Sequence, residues 1–110
     1  MKKRFEVIFL EEALDFIYKL DEKTGEKILY NIRKSSYHND PELLKKLTGE
    51  IWEFRTRYKK NHYRLLAFWD KRNNENVLVV GTHGFMKKTS KVDRKEIKRA
   101  EEIRKNYFEE

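Results

Sequence analysis

The chain opens with a short apolar run, Phe5 to Leu10, of the length of one buried strand. Glu11 and Glu12 follow and suit the first turn of a helix, where the backbone dipole favours negative charge. Ala13, Leu14, Ile17 and Leu20 then recur at helical spacing to about residue 20. Asp21 can cap a second helix whose Gly25, Ile28, Leu29 and Ile32 fall on one face. Each helix is charged on its other side, so the pair predicts an αα-hairpin that turns near residue 21 and packs its stripe onto an apolar surface. Ser35–Asp40 is polar and reads as a loop. Asp40-Pro41 is a start signal, with Asp as cap and Pro at the first helical position, and Gly49 is a stop. Together they predict a short helix over Glu42–Leu47.

The pattern changes at Ile51. In Ile51-Trp52-Glu53-Phe54-Arg55-Thr56-Arg57-Tyr58 the residue type alternates, placing Trp52, Phe54 and Tyr58 on one face of a strand and Glu53, Arg55 and Arg57 on the other. Lys59-Lys60-Asn61 reads as a turn. Tyr63 to Trp69 is a nearly continuous apolar and aromatic run broken by Arg64, as expected of a central strand. Asp70 to Asn76 is a polar turn with Asn73-Asn74 at its tip, and Val77 to Val80 is a further strand continuing toward His83. Ser90-Lys91-Val92-Asp93 resembles a capping box opening a last helix, with Ile97, Ala100, Ile103 and Tyr107 as its stripe. The predicted order is β-α-α-(short α)-β-β-β-α. It describes an α+β fold, with the N-terminal strand and helical hairpin packed on an antiparallel β-sheet and a C-terminal helix to close it. At 110 residues, the expectation is one domain spanning 1–110.

Composition narrows the class. Charged residues make up 41% of the chain, yet 14% is aromatic, which disordered chains lack; the reading is a small globular domain with a very charged surface. The absence of cysteine excludes a disulfide framework, thiolate metal sites and thiol nucleophiles. The Met-Lys-Lys-Arg start is followed by an apolar stretch that contains Glu6 and ends at Glu11, too short for a signal peptide. No run approaches a membrane span, so the chain reads as soluble and cytoplasmic. The net charge of +7 is unevenly placed: residues 1–50 hold ten basic and ten acidic side chains, residues 51–110 sixteen and nine. Arg55, Arg57, Lys59, Lys60 and Arg64 form a stretch free of acid. Lys87, Lys88, Lys91, Arg94, Lys95, Lys98 and Arg99 form a second cluster. Two such clusters suggest a shared polyanion-binding face, against the plainer reading of a solvated surface.

Three sets of residues could carry chemistry. Arg55 and Arg57 stand two apart on one strand, about 6–7 Å along it, and each planar guanidinium can pair with phosphate oxygens in a fixed orientation. The alternative is that Arg55 merely pairs with Glu53. Arg64, a charge inside an apolar strand, either has a partner such as Glu53 or lines a site. His83-Gly84-Phe85-Met86-Lys87-Lys88 follows a strand directly. His83 could be an acid or base near neutrality or a structural histidine, and the lysines could stabilise phosphoryl charge or be solvated surface. His38 and His62 lie in polar segments, and three histidines without a cluster make no metal signature. An enzyme built from these residues would work without a metal or cofactor. That suits ribonucleolytic chemistry, in which an RNA 2′-hydroxyl attacks the neighbouring phosphate.

Leu47-Thr48-Gly49-Glu50-Ile51-Trp52-Glu53-Phe54-Arg55, Tyr63-Arg64-Leu65-Leu66 and His83-Gly84-Phe85-Met86-Lys87-Lys88, taken with the element order, resemble the RelE/ParE superfamily of toxins. More narrowly they resemble its HigB branch, the phage-derived Gp49-like proteins. One departure is that Thr89-Ser90-Lys91-Val92 lacks the proline the family often has there. The resemblance implies a RelE-like fold and the toxin of a type II toxin–antitoxin system. Such a toxin would be a metal-independent endoribonuclease (mRNA interferase) that cuts mRNA on the ribosome and is neutralised by a helix-turn-helix (HigA-like) antitoxin. Carried onto matching positions, Arg55 and Arg64 would contact the scissile phosphate, Lys87 and Lys88 would bind RNA or stabilise charge, and His83 would be a candidate acid or base. Arg57, Lys59, Lys60, Lys91 and Lys95 would bind RNA along the two basic clusters. The alternatives are a ParE-like inhibitor of DNA gyrase and an RNA-binding module without catalysis.

Overall fold

Asp21 caps the second of two consecutive helices, and that cap organises the N-terminal third. A computed structural model describes residues 2–82, 84–87 and 91–110. Strand β1 (Glu6–Phe9) runs through Leu10 into helix α1 (Glu11–Lys19), with Glu11 and Glu12 in its first turn. Helix α2 (Glu22–Ser35) is capped by the Asp21 carboxylate, which accepts from Thr24 N at 3.2 Å and Thr24 Oγ1 at 2.6 Å. These bonds, the hydroxyl's first, hold the Asp21 carboxyl below its ordinary pKa. Gly25 lets the helices close, since a Cβ there would lie 3.2 Å from the Ile17 carbonyl oxygen. The hairpin forms as expected and lays Ala13, Ile17, Ile28 and Ile32 on Phe54, Leu65, Ala67, Leu78 and Val80 of the sheet.

The short helix expected over 42–47 does not form. Its start signal is real: Asp40 Oδ1 accepts from Glu42 N at 2.9 Å, and the Asp40 carbonyl accepts from Leu43 N and Leu44 N. The turn stops there, and Leu44–Thr48 becomes strand β2 against strand β3 (Ile51–Tyr58). Gly49, read as a helix stop, sits at φ 53° in the turn between these strands. The same leucine spacing serves either element, and the unpaired edge of β3 decides between them, because its backbone groups need a partner.

Strand β4 (Asn61–Asp70) is the axis of the sheet. It pairs with β3 along one flank, and along the other with β5 (Val77–Val80) and then β6 (Phe85–Lys87). The strand order is β1-β5-β4-β3-β2, with β6 also on β4. The β1–β5 pair is parallel, so the sheet is mixed rather than wholly antiparallel. As its edge strand, β1 is half exposed rather than buried, with Ile8 43% accessible. Between β5 and β6 the ladder is bridged by a side chain: Leu66 N donates to the buried Thr82 Oγ1 at 3.0 Å, and the Leu66 carbonyl accepts from Gly81 N at 3.2 Å. That patch lets the chain step from one partner strand to the next without orphaning β4 backbone groups.

Helix α3 (Arg94–Glu109) covers part of the sheet face opposite the hairpin. Its cap is Asp93, which accepts from Lys95 N at 2.9 Å, so the helix starts later than a Ser90 capping box would place it; Ser90 lies outside the described residues. Ala100 packs with Ile51, Leu66 and Phe85, while Tyr107 and Phe108 lie against Phe68. Tyr107 donates its hydroxyl to Asp70 Oδ2 at 2.7 Å, and Arg72 holds the same carboxylate at 2.9 Å. Among the described residues no helix is long and apolar enough to cross a membrane.

Candidate functional site

Lys59 and Lys60 fill a two-residue hairpin turn with φ of 48° and 69°, the positive values that a tight β3–β4 connection demands. The turn fixes the register: Arg57 opposes His62, Arg55 opposes Arg64, and Glu53 opposes Leu66. Beyond β4, strand β6 sets Lys87 opposite His62 and Phe85 opposite Arg64. Beyond β3, strand β2 sets Lys45 opposite Glu53. Directly opposed residues share a face, so these side chains form one surface. Helix α3 seals the Ile51–Leu66 end of that face, and the Arg57–His62–Lys87 end stays uncovered.

A groove of about 490 Å³ runs over the open end and around the edge of β3. Arg55, Arg57, His62 and Arg64 line it from the sheet, Lys27, Asn31 and Lys34 from α2, and Asp40 and Glu42 from the loop before β2. Asn31 Nδ2 donates to Thr56 Oγ1 at 3.2 Å, a buried polar contact that pins α2 beside β3.

The floor is an ion triad. Glu53, 4% exposed, lies with Oε1 3.5 Å from Arg55 Nε and Oε2 3.7 Å from Arg64 Nε. Of the alternatives posed for Arg64, the pairing with Glu53 is present, and Arg64 also lines the groove. The same is true of Arg55, whose Nη1 further donates to the Pro41 carbonyl at 3.3 Å. The contacts are loose. Among the described residues the buried atoms Glu53 Oε2, Arg55 Nε and Arg64 Nε have no hydrogen-bond partner, so the triad is held by charge rather than by close hydrogen bonds. Burial pushes the Arg64 pKa below its ordinary value, Glu53 opposes that shift, and Arg55 adds to it. Lys87 is lowered by burial first and then by Arg64. His62 is lowered by loss of water, then by Arg64, Arg57, Lys87 and Arg55, which favours the neutral imidazole at pH 7.

Of the residues singled out from sequence, the fold brings Arg55, Arg57, Arg64 and Lys87 together. Lys60 is exposed at the hairpin tip, and Lys59 leans over the Tyr58 ring at 5.4 Å, near enough to Asp21 to help lower its pKa. Lys91 is exposed ahead of α3. Lys95 lines a different hollow with Thr48, Arg94 and Lys98, so the second basic cluster divides, and among its described residues Lys87 joins the first. His83 and Lys88 lie outside the described residues. Tyr63 is core. Four contributors escaped the sequence reading. Lys45 was hidden by the helix expected there. Lys27 and Lys34 lie on a helix face whose neighbour only the tertiary fold supplies. His62 was assigned to a polar segment, although its spacing of two from Arg64 on one strand carried the signal.

Together the fold and groove define a class: a small α+β protein whose mixed sheet is backed by a helical hairpin and bears a cationic groove on its other face. Residues 15–105 match the family described as Phage derived protein Gp49-like (DUF891), and the chain belongs to that family, a toxin family of the RelE/HigB kind. No curated protein matches the chain at a significant level. Family membership points to the toxin of a toxin–antitoxin pair, and so to an antitoxin partner.

Proposed function

We propose that the protein is a toxin that inhibits translation as an mRNA endoribonuclease on the ribosome, and that a helix-turn-helix antitoxin restrains it in the cytoplasm. The observation that carries this reading is the convergence of Arg55, Arg57, Arg64 and Lys87 at the one end of the sheet face that α3 leaves open. Cations held in a fixed array are what a phosphodiester needs as charge builds on it. In this reading Arg55 and Arg64 contact the scissile phosphate, Lys87 and Arg57 hold the strand on either side, and Lys60 meets RNA at the hairpin tip. Lys27 and Lys34 continue the path past the edge of β3, so the charge-balanced first half also contributes to the surface.

Induced expression should arrest growth and leave messages cut within translated regions, mapped by primer extension on a reporter transcript. Arg57→Ala, an exposed change, should relieve the arrest in a protein that still folds. Message left intact during arrest, with DNA damage instead, would replace the nuclease reading with gyrase inhibition. Salt-dependent RNA binding without cleavage on translating ribosomes would reduce it to a binding module.

A further inference from the structure

Resting on the nuclease reading, one question is which group takes the 2′-hydroxyl proton. The carboxylates of the groove are poorly placed for it. Glu53 is buried against Arg55 and Arg64, and Asp40 Oδ1 already accepts from Glu42 N at 2.9 Å. Glu42 is exposed on the loop rim, away from the β4–β6 register. His38 follows α2, where its carbonyl accepts from Arg4 Nη2 at 3.1 Å, and it does not line the groove.

His62 is exposed at the open end, with Arg57 directly opposite on β3 and Lys87 directly opposite on β6. Opposed side chains of this kind have Cβ atoms about 4.5–5.5 Å apart, within reach of one bound phosphodiester. Arg64 stands two residues along β4 on the same face, and Arg55 lies across from it. Among the described residues, the charges facing His62 from the sheet are the cations Arg55, Arg57, Arg64 and Lys87 and the buried Glu53; α2 adds Lys27 and Lys34, and the loop before β2 adds Asp40 and Glu42.

We propose that His62 is the general base of the cleavage step and that Lys87, its cross-strand neighbour, is the acid. The His62 ring nitrogen takes the 2′-hydroxyl proton as that oxygen bonds to phosphorus. The bond from phosphorus to the 5′-oxygen breaks, its electron pair stays on the oxygen, and the Lys87 ammonium protonates it. The products are a 2′,3′-cyclic phosphate and a 5′-hydroxyl, with His62 returning its proton to water and Lys87 regaining one. The cations around His62 suit both halves of this cycle. They keep the imidazole neutral and able to accept, and they make the imidazolium quick to release its proton once the anionic product leaves.

The test uses the full chain, a short single-stranded RNA free and on translating ribosomes, and a 2′-deoxy version of the strand for binding. His62→Gln should cut the cleavage rate by roughly 10²–10⁴-fold while binding to the deoxy strand is unchanged. In the wild type the rate should rise with pH through a midpoint below about 6.5, the ordinary histidine value, and that rise should vanish in His62→Gln. Added imidazole should restore part of the rate to His62→Gly. Wild-type cleavage with an unaltered rate and pH profile in His62→Gln would overturn this assignment alone. Absence of wild-type cleavage on both substrates would overturn the nuclease reading and the assignment with it.

Discussion

On one side of β3, Phe54 and Thr56 are sealed beneath the helical hairpin; on the other, Glu53, Arg55 and Arg57 pass from buried to exposed over the same length of strand. The sealed side satisfies its needs internally, by apolar contact and one Asn31–Thr56 hydrogen bond. The open side does not, because its ion triad is long in both contacts. The difference teaches how little separates a packed surface from an open charged one in a small protein. The two can be alternate residues of one strand, separated only by the pleat.

Substitutions can break that comparison in order of effect. Phe54→Ala, on the sealed side, should destabilise by about 4 kcal/mol in urea unfolding, leaving the folded fraction with an intact groove. Arg64→Ala should cost about 3 kcal/mol, because it removes the more deeply buried of the two cations that offset the Glu53 charge in the interior. Removing both charges, as Glu53→Leu with Arg64→Leu, should recover most of that stability and none of the RNA binding. Replacing Lys59-Lys60 by Asn-Gly should stabilise by about 1 kcal/mol, since two lysines are held at positive φ where Asn-Gly rests easily, and should weaken RNA binding slightly. Arg57→Ala should leave the unfolding midpoint nearly unchanged and flatten the salt dependence of RNA binding by about one phosphate contact.

The smallest effect concerns acid. Hydrogen bonds, from the Arg72 side chain first and Tyr107 second, hold the Asp70 carboxyl far below its ordinary pKa. A lowered pKa contributes stability that is present above about 4 and is lost as pH falls below it. Asp70→Asn should therefore be less stable at neutral pH, and its acid-side decline, followed by circular dichroism, should be shallower than the wild type's.

What the sequence made legible follows from which forces are local. The hairpin helices announce themselves through a 3.6-residue stripe and a cap at Asp21, and β3 and β4 through alternation and a single intruding Arg64; these patterns are written within one element. Strand β2 was illegible because Asp40-Pro41 and Gly49 bound a helix as well as they bound a turn, a strand and a turn. The deciding term, the free edge of β3, lies elsewhere in the chain. Losing β2 also hid Lys45. Arg55 and Arg64 could be picked out as charges in apolar surroundings. His62 stands two residues before Arg64 on one strand, but a turn read as Lys59-Lys60-Asn61 is one residue too long and left it outside the strand as read.

Thr82 carries a consequence for measurement. The Leu66 amide is held by a hydroxyl rather than by a neighbouring strand, at the point where β4 changes partners. Its hydrogen-exchange rate thus reports on one side chain, in the middle of a strand whose other amides report on the sheet. An amide so placed is an internal clock for the β5–β6 crossing. If ligand binding at Lys87 tightens that crossing, protection at Leu66 should lengthen while the hairpin helices keep their own time.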